Sequence, residues 1–403
     1  MSQADEAPAV ASGHVRHRAT RGTDGFFRAR QDDDGRWWLI DPEGTPFFFR
    51  GVHGVRASDP HGDSGLPPDS TARLRRWGFN ALGLSREEGL RDEGLPFLAC
   101  PDLCDVSQLI VAPGVRLPDV FDPSWPARAA MRAKERCAPL AESPQLIGWV
   151  TDNALEWATP SSAGRPSLLQ LCLSLEPTFA AYHAAWEFVL AHHGGTLERV
   201  ALAWNASLPN KEVVRELTRS EEGLGTRGYL RDESRWTRES ARRYFSSAAA
   251  AVRLADPNHL VFGCRFQRAA GTSVLAECVY PAVDVSMPYW NELPAMNTNS
   301  SQPLLADNVS WMTDDFLRLV TSPRSRRLTI FEHTLRKARA TLDRAARNPA
   351  VVGYAWSRWE DEPGEQPPFA GGLVHVNGHE AREHTELLAQ FNLRAENLHR
   401  LAS

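Results

Sequence analysis

Apolar runs of five to seven residues recur along this chain, and between several of them apolar residues return every three or four positions among arginines. The runs are Phe47–His53, Phe79–Leu84, Pro96–Cys100, Ile147–Thr151, Leu260–Arg265, Val283–Met287, Leu328–Glu332 and Val351–Trp356. A short continuous apolar run predicts a buried strand, and a 3.6-residue period predicts an amphipathic helix. Arg73–Gly78, Arg238–Asn258 and Lys337–Pro349 have the helical pattern and precede the second, fifth and eighth runs. Buried strands alternating with helices predict a parallel α/β architecture, and eight of them predict a (β/α)8 TIM barrel. Ahead of it, Arg36–Asp41 and Pro46–Arg50 flank a Pro/Gly turn and predict an N-terminal β-hairpin. Val52-His-Gly-Val55 after the first run is not a dinucleotide-binding fingerprint.

The spacing is uneven. About 100 residues separate the fourth and fifth runs, more than one helix needs. Phe179–His193 and Ser234–Leu254 predict helices inside an insertion spanning about 157–257, with Thr196–Ala203 as an alternative strand. An insertion after a strand belongs on the C-terminal face, where barrel sites are built. Glu380–Leu401 predicts a closing helix packed on the barrel wall. Residues 1–23 are polar and predict a disordered segment, which leaves 24–403 for the barrel.

Composition narrows the function classes. With 42% hydrophobic and 24% charged residues, the 403-residue chain has ordinary globular make-up. A net charge of −5 offers nothing to nucleic acid or an anionic membrane. No signal-peptide core or membrane-length apolar run is visible, which predicts a cytoplasmic location. The six cysteines then read as reduced thiols, and no Cys/His spacing suggests a metal. No cofactor is implied, and the oligomeric state is not legible.

Polar residues at the C-terminal ends of barrel strands are the site candidates. They are His53, Asp152, Asn153, Arg265, Tyr289, Glu332, His333, Trp356 and Arg358. A retaining glycosidase sets two carboxyl groups about 5–5.5 Å apart, one a nucleophile and the other an acid/base. Glu332 suits the first role, with Arg265, Tyr289 or His333 to keep it ionised, and Trp356 would floor a sugar ring.

The span from about Gly35 to Leu398 resembles the clan A glycoside hydrolases, most closely the β-agarases of glycoside hydrolase family 50. Gly35-Arg-Trp-Trp-Leu-Ile-Asp-Pro-Glu-Gly44, Gly78-Phe-Asn-Ala-Leu-Gly83, Ile147-Gly-Trp-Val-Thr-Asp-Asn153 and Asp256-Pro-Asn-His-Leu-Val-Phe-Gly-Cys-Arg-Phe266 carry the resemblance. Phe331-Glu-His333, Val352-Gly-Tyr-Ala-Trp356, Glu360-Asp-Glu-Pro363 and Gly372-Leu-Val-His-Val-Asn377 continue it. In that family the fourth strand ends Asp-Asn-Glu with the Glu as acid/base, and the seventh ends in the nucleophilic Glu. The resemblance therefore implies Glu332 as nucleophile and Asn153 as a sugar contact, but Ala154 stands where the acid/base belongs. Pro288 stands about where the sixth-strand Asn is expected. Glu156, two positions after Ala154, is either a replacement acid or a solvated loop residue. The expected substrate is a β-linked, galactose-type saccharide or glycoside. The alternative is a barrel that binds such a saccharide without cleaving it.

Overall fold

The computed structural model describes residues 19–56, 70–85, 94–157, 167–218, 223–295, 301–311, 324–362, 364–365 and 370–401. Its centre is a curled parallel sheet of seven strands. In spatial order these are Leu260–Gly263, Leu146–Val150, Phe97–Ala99, Ala81–Leu82, Phe49–Val52, Val351–Trp356 and Leu304–Val309. All six pairings between neighbours are parallel. Most of these strands are buried along their length, as expected of strands covered on both faces. The expected eight-strand barrel is met in part. Val283–Met287 forms no strand of its own, although it bridges the two edges. Asp284 N donates to Val261 O at 2.8 Å, and Leu305 N donates to Ser286 O at 2.8 Å. Val283, Val285 and Met287 alternate inward and are buried.

Two parts of the predicted order change. Leu328–Glu332 is not a strand: it lies in the helix Arg324–Arg347. Phe331, Ala338, Leu342 and Ala346 are buried along it at helical spacing, so Phe331 alone of the run joins the buried stripe of an amphipathic helix, while Leu328 is exposed. The strand preceding the last one is Leu304–Val309, and it ends in Asp307-Asn308-Val309. The predicted 1–23 disordered segment also shortens, because Thr20–Arg21 is a strand paired antiparallel with Arg28–Gln31. Residues 1–18 lie outside the described residues.

The N-terminal hairpin forms as expected. Trp37–Ile40 pairs with Pro46–Phe47, and the pair belongs to a four-stranded antiparallel sheet. The Asp41 carboxylate accepts from Thr45 N at 2.7 Å, and Gly44 at φ 90° takes the left-handed turn position.

The insertion is helical, and ahead of it, between Phe97–Ala99 and Leu146–Val150, lies a strand pair that the hydrophobic pattern did not reveal. Leu109–Ala112 and Val115–Pro118 form a hairpin, and Glu156–Trp157 adds to it antiparallel. Ala180–His192 and Arg227–Ala255 match the two predicted helices. Leu197–Trp204 is a helix rather than the alternative strand, capped by the Thr196 hydroxyl, which accepts from Arg199 N. The predicted C-terminal helix is two, Arg382–Asn392 and Ala395–Leu401. The Asp256-Pro-Asn-His259 segment proves to be a structural corner. The Asp256 carboxylate accepts from the Trp149 indole and pairs with the His259 ring, each at 2.7 Å.

Candidate functional site

The C-terminal ends of the parallel strands share one mouth, and Arg265 spans it. Arg265 follows the strand Leu260–Gly263 and is held in place by its backbone. Its N–H donates to Asp152 O at 2.9 Å, and its C=O accepts from Leu155 N at 3.0 Å. Its side chain crosses to three other strand ends. Nη1 donates to the Asn153 side-chain oxygen at 3.2 Å, and Nη2 donates to the Asn308 side-chain oxygen at 2.6 Å and to Ser357 O at 3.1 Å. Nε lies 3.5 Å from Asp307 Oδ2. A guanidinium only donates, so both asparagine side chains turn their carbonyl oxygens toward it. Asn153 is exposed, and Arg265 and Asn308 are half-buried.

Beneath this cradle lies a buried pair. His53 continues from the strand Phe49–Val52, and its Nδ1 accepts from Leu84 N at 2.9 Å. Its Nε2 sits 2.8 Å from Asp307 Oδ1, with the two residues 2% and 1% exposed. Since Nδ1 is an acceptor, Nε2 carries the proton and donates to the carboxylate. Burial lowers the His53 pKa, Arg265 lowers it further, and Asp307 opposes both. Burial by itself would raise the Asp307 pKa, but His53 and Arg265 outweigh it and hold the carboxyl below its ordinary value. The pair is therefore a neutral imidazole and an anionic carboxylate. Gly83 makes room for the ring, since a Cβ there would lie 2.6 Å from His53 Nδ1.

Asp152 faces away from the mouth. One carboxylate oxygen accepts from Cys104 N at 2.7 Å, and the other accepts from the Tyr244 hydroxyl, which also bonds Thr151 Oγ1 at 2.7 Å. Burial pushes its pKa to about 7, against the lowering effect of those hydrogen bonds. Asp152, 2% exposed, thus ties the end of the strand Leu146–Val150 to the segments that carry Cys104 and Tyr244.

The predicted site residues separate into two groups. His53, Asn153 and Arg265 come together, and Tyr289, half-buried, bridges to Asp307 through the backbone. Glu332 and His333 do not join them, because both are exposed on the helix Arg324–Arg347. Trp356 is fully buried against Trp311, with ring centroids 4.5 Å apart, so it has no face to offer a sugar. Glu156 lies in the added strand opposite Arg116, 3.7 Å from Arg268. Arg358 pairs with Glu362 at 2.6 Å. Ala154 is half-buried after Asn153. Asp307 and Asn308 were missed, although Pro303-Leu-Leu-Ala-Asp-Asn-Val309 shows an apolar run ending in polar residues, the signal used elsewhere. Among the described residues no group of His, Cys, Asp and Glu is arranged to hold a metal ion.

No family model matches the chain. It is similar to β-agarase A of Vibrio sp. (strain JT0107), 22% identical over 336 residues, which cover 65% of this chain and 34% of that protein. The chain thus matches about a third of that relative's length. An exo-β-agarase of known structure superposes with a TM-score of 0.66 at 17% identity, covering 95% of this chain and 67% of the other. BpGH50 superposes with a TM-score of 0.68 at 16% identity, covering 95% and 84%. These likenesses support the resemblance to glycoside hydrolase family 50 and show a shared fold.

Proposed function

We propose that this chain is a saccharide-binding barrel of glycosidase descent, which holds a β-linked, galactose-type saccharide at the strand mouth and does not cleave it. One observation carries the reading: the Arg265 guanidinium bridges Asn153 and Asn308, at the ends of Leu146–Val150 and Leu304–Val309. A retaining glycosidase leaves that kind of gap for the scissile bond, between two carboxyl groups. A fixed cation in the gap opposes the positive charge that develops on the sugar in the oxocarbenium-like transition state. It suits binding, because charge-assisted donors and oriented amides recognise ring hydroxyls. The carboxylates fit the same view. Asp307 is ionised but 1% exposed and engaged by His53, and Glu156 sits beside Arg268.

The test pairs calorimetric titration of β-linked galactose oligosaccharides with an assay of aryl β-galactosides bearing a good leaving group. Binding without turnover is expected, with Arg265→Met weakening the binding. Turnover that disappears in Asp307→Asn would instead make Asp307 a working nucleophile and overturn the binding-only reading. Absence of binding to any saccharide would overturn the ligand class.

A further inference from the structure

The mouth contains a cation that is cancelled from below. Among the described residues, Asp307 is the carboxylate paired with Arg265. It is fixed from the far side by the neutral ring of His53, itself oriented by Leu84 N–H. The anion is 1% exposed, while the Arg265 side chain is 15% exposed and reaches the mouth. An arriving ligand therefore meets guanidinium and amide groups whose charge is offset by a carboxylate that the ligand does not touch.

We propose that Asp307, held by His53, sets the charge preference of the mouth: it neutralises Arg265 so that the Asn153–Arg265–Asn308 cradle takes neutral sugar rings in preference to acidic ones. The inference rests on the saccharide-binding reading and adds a specificity-determining residue to it. A uronate carboxylate approaching Arg265 is attracted by the guanidinium and repelled by Asp307, so it gains little over a hydroxyl. With Asp307 neutral, the same guanidinium becomes an uncompensated, half-buried cation, and an acidic sugar becomes the preferred partner.

The experiment titrates the full chain with a neutral β-galactoside and with the corresponding β-galacturonide, each at low and high salt. Wild type is expected to favour the neutral sugar. Asp307→Asn should shift the affinity ratio toward the uronide by about tenfold, discounted for partial exposure, and salt should reduce the shift. Asp307→Glu should restore the wild-type ratio, and His53→Gln should move it in the direction of Asp307→Asn by a smaller factor. The His53 variant also serves if Asp307→Asn does not fold. A folded variant of either kind with an unchanged ratio overturns this inference alone. A wild type that binds neither sugar overturns the saccharide reading together with it.

Discussion

Replacing Asp152 with Asn should make the protein more stable at pH 8, and by less than half as much at pH 5. The carboxyl is 2% exposed, and burial raises its pKa from 3.8 to about 7. A carboxyl whose folded pKa lies above its unfolded value resists ionisation in the folded state. The cost is absent below about pH 4, grows as the pH rises to about 7, and is constant above that. A gap of about three units at 1.36 kcal/mol each amounts to about 4 kcal/mol, an upper figure. Asparagine reproduces the protonated acid. Its oxygen can accept from Cys104 N, now 2.7 Å from the carboxylate, and its NH2 can donate to the Tyr244 hydroxyl, which then donates to Thr151 Oγ1. The expected gain at pH 8 is about 2–4 kcal/mol, and at pH 5, where the unfolded carboxyl is already ionised and the folded one is not, it falls to about 1–2 kcal/mol. Urea denaturation of both proteins at the two pH values measures it. A difference that does not widen with pH, or a variant less stable at pH 8, would refute the argument that burial dominates over the two hydrogen bonds.

Three further outcomes follow from the same geometry. Arg265→Met should weaken saccharide binding by about 10–100-fold and also lower stability by about 1–3 kcal/mol, since Asp307 loses its cation; calorimetry and thermal melting read the two effects separately. Glu332→Gln should change stability by less than about 0.5 kcal/mol and leave binding unaffected, as expected of an exposed helix residue, and a large loss of either would return Glu332 to the site. Gly353→Ala should cost more than about 3 kcal/mol or abolish soluble expression, because a Cβ there would lie 2.2 Å from Phe49 O in the neighbouring strand. A near-wild-type melting temperature would show that the two strands separate more easily than their packing implies.

Much of the fold was legible because burial leaves a local trace. Parallel strands covered on both faces must be apolar throughout, so Leu146–Val150, Leu260–Gly263 and Val351–Trp356 stand out without any partner being known. The hairpin at Asp41–Thr45 was legible for a similar reason, since its Pro, Gly and Asp each act within a few residues. Leu328–Phe331 shows the limit of that trace. Three apolar residues around a threonine fit a buried strand and one turn of a half-buried helix equally well, and only the stripe continuing through Ala338, Leu342 and Ala346 separates them.

The site divides along the same line. By itself the sequence determined that polar residues follow the strands at His53, Asn153 and Arg265, and that Ala154 supplies no carboxyl group. Tertiary structure decided which of those residues meet. It took Glu332 and His333 out to an exposed helix and buried Trp356. It also brought Asp307 and Asn308 to an arginine more than 40 positions before them. A strand's apolar character is a property of its own residues. Whether a carboxylate is a nucleophile, a buried counter-ion or a solvated surface group depends on the charges and donors that distant segments place around it.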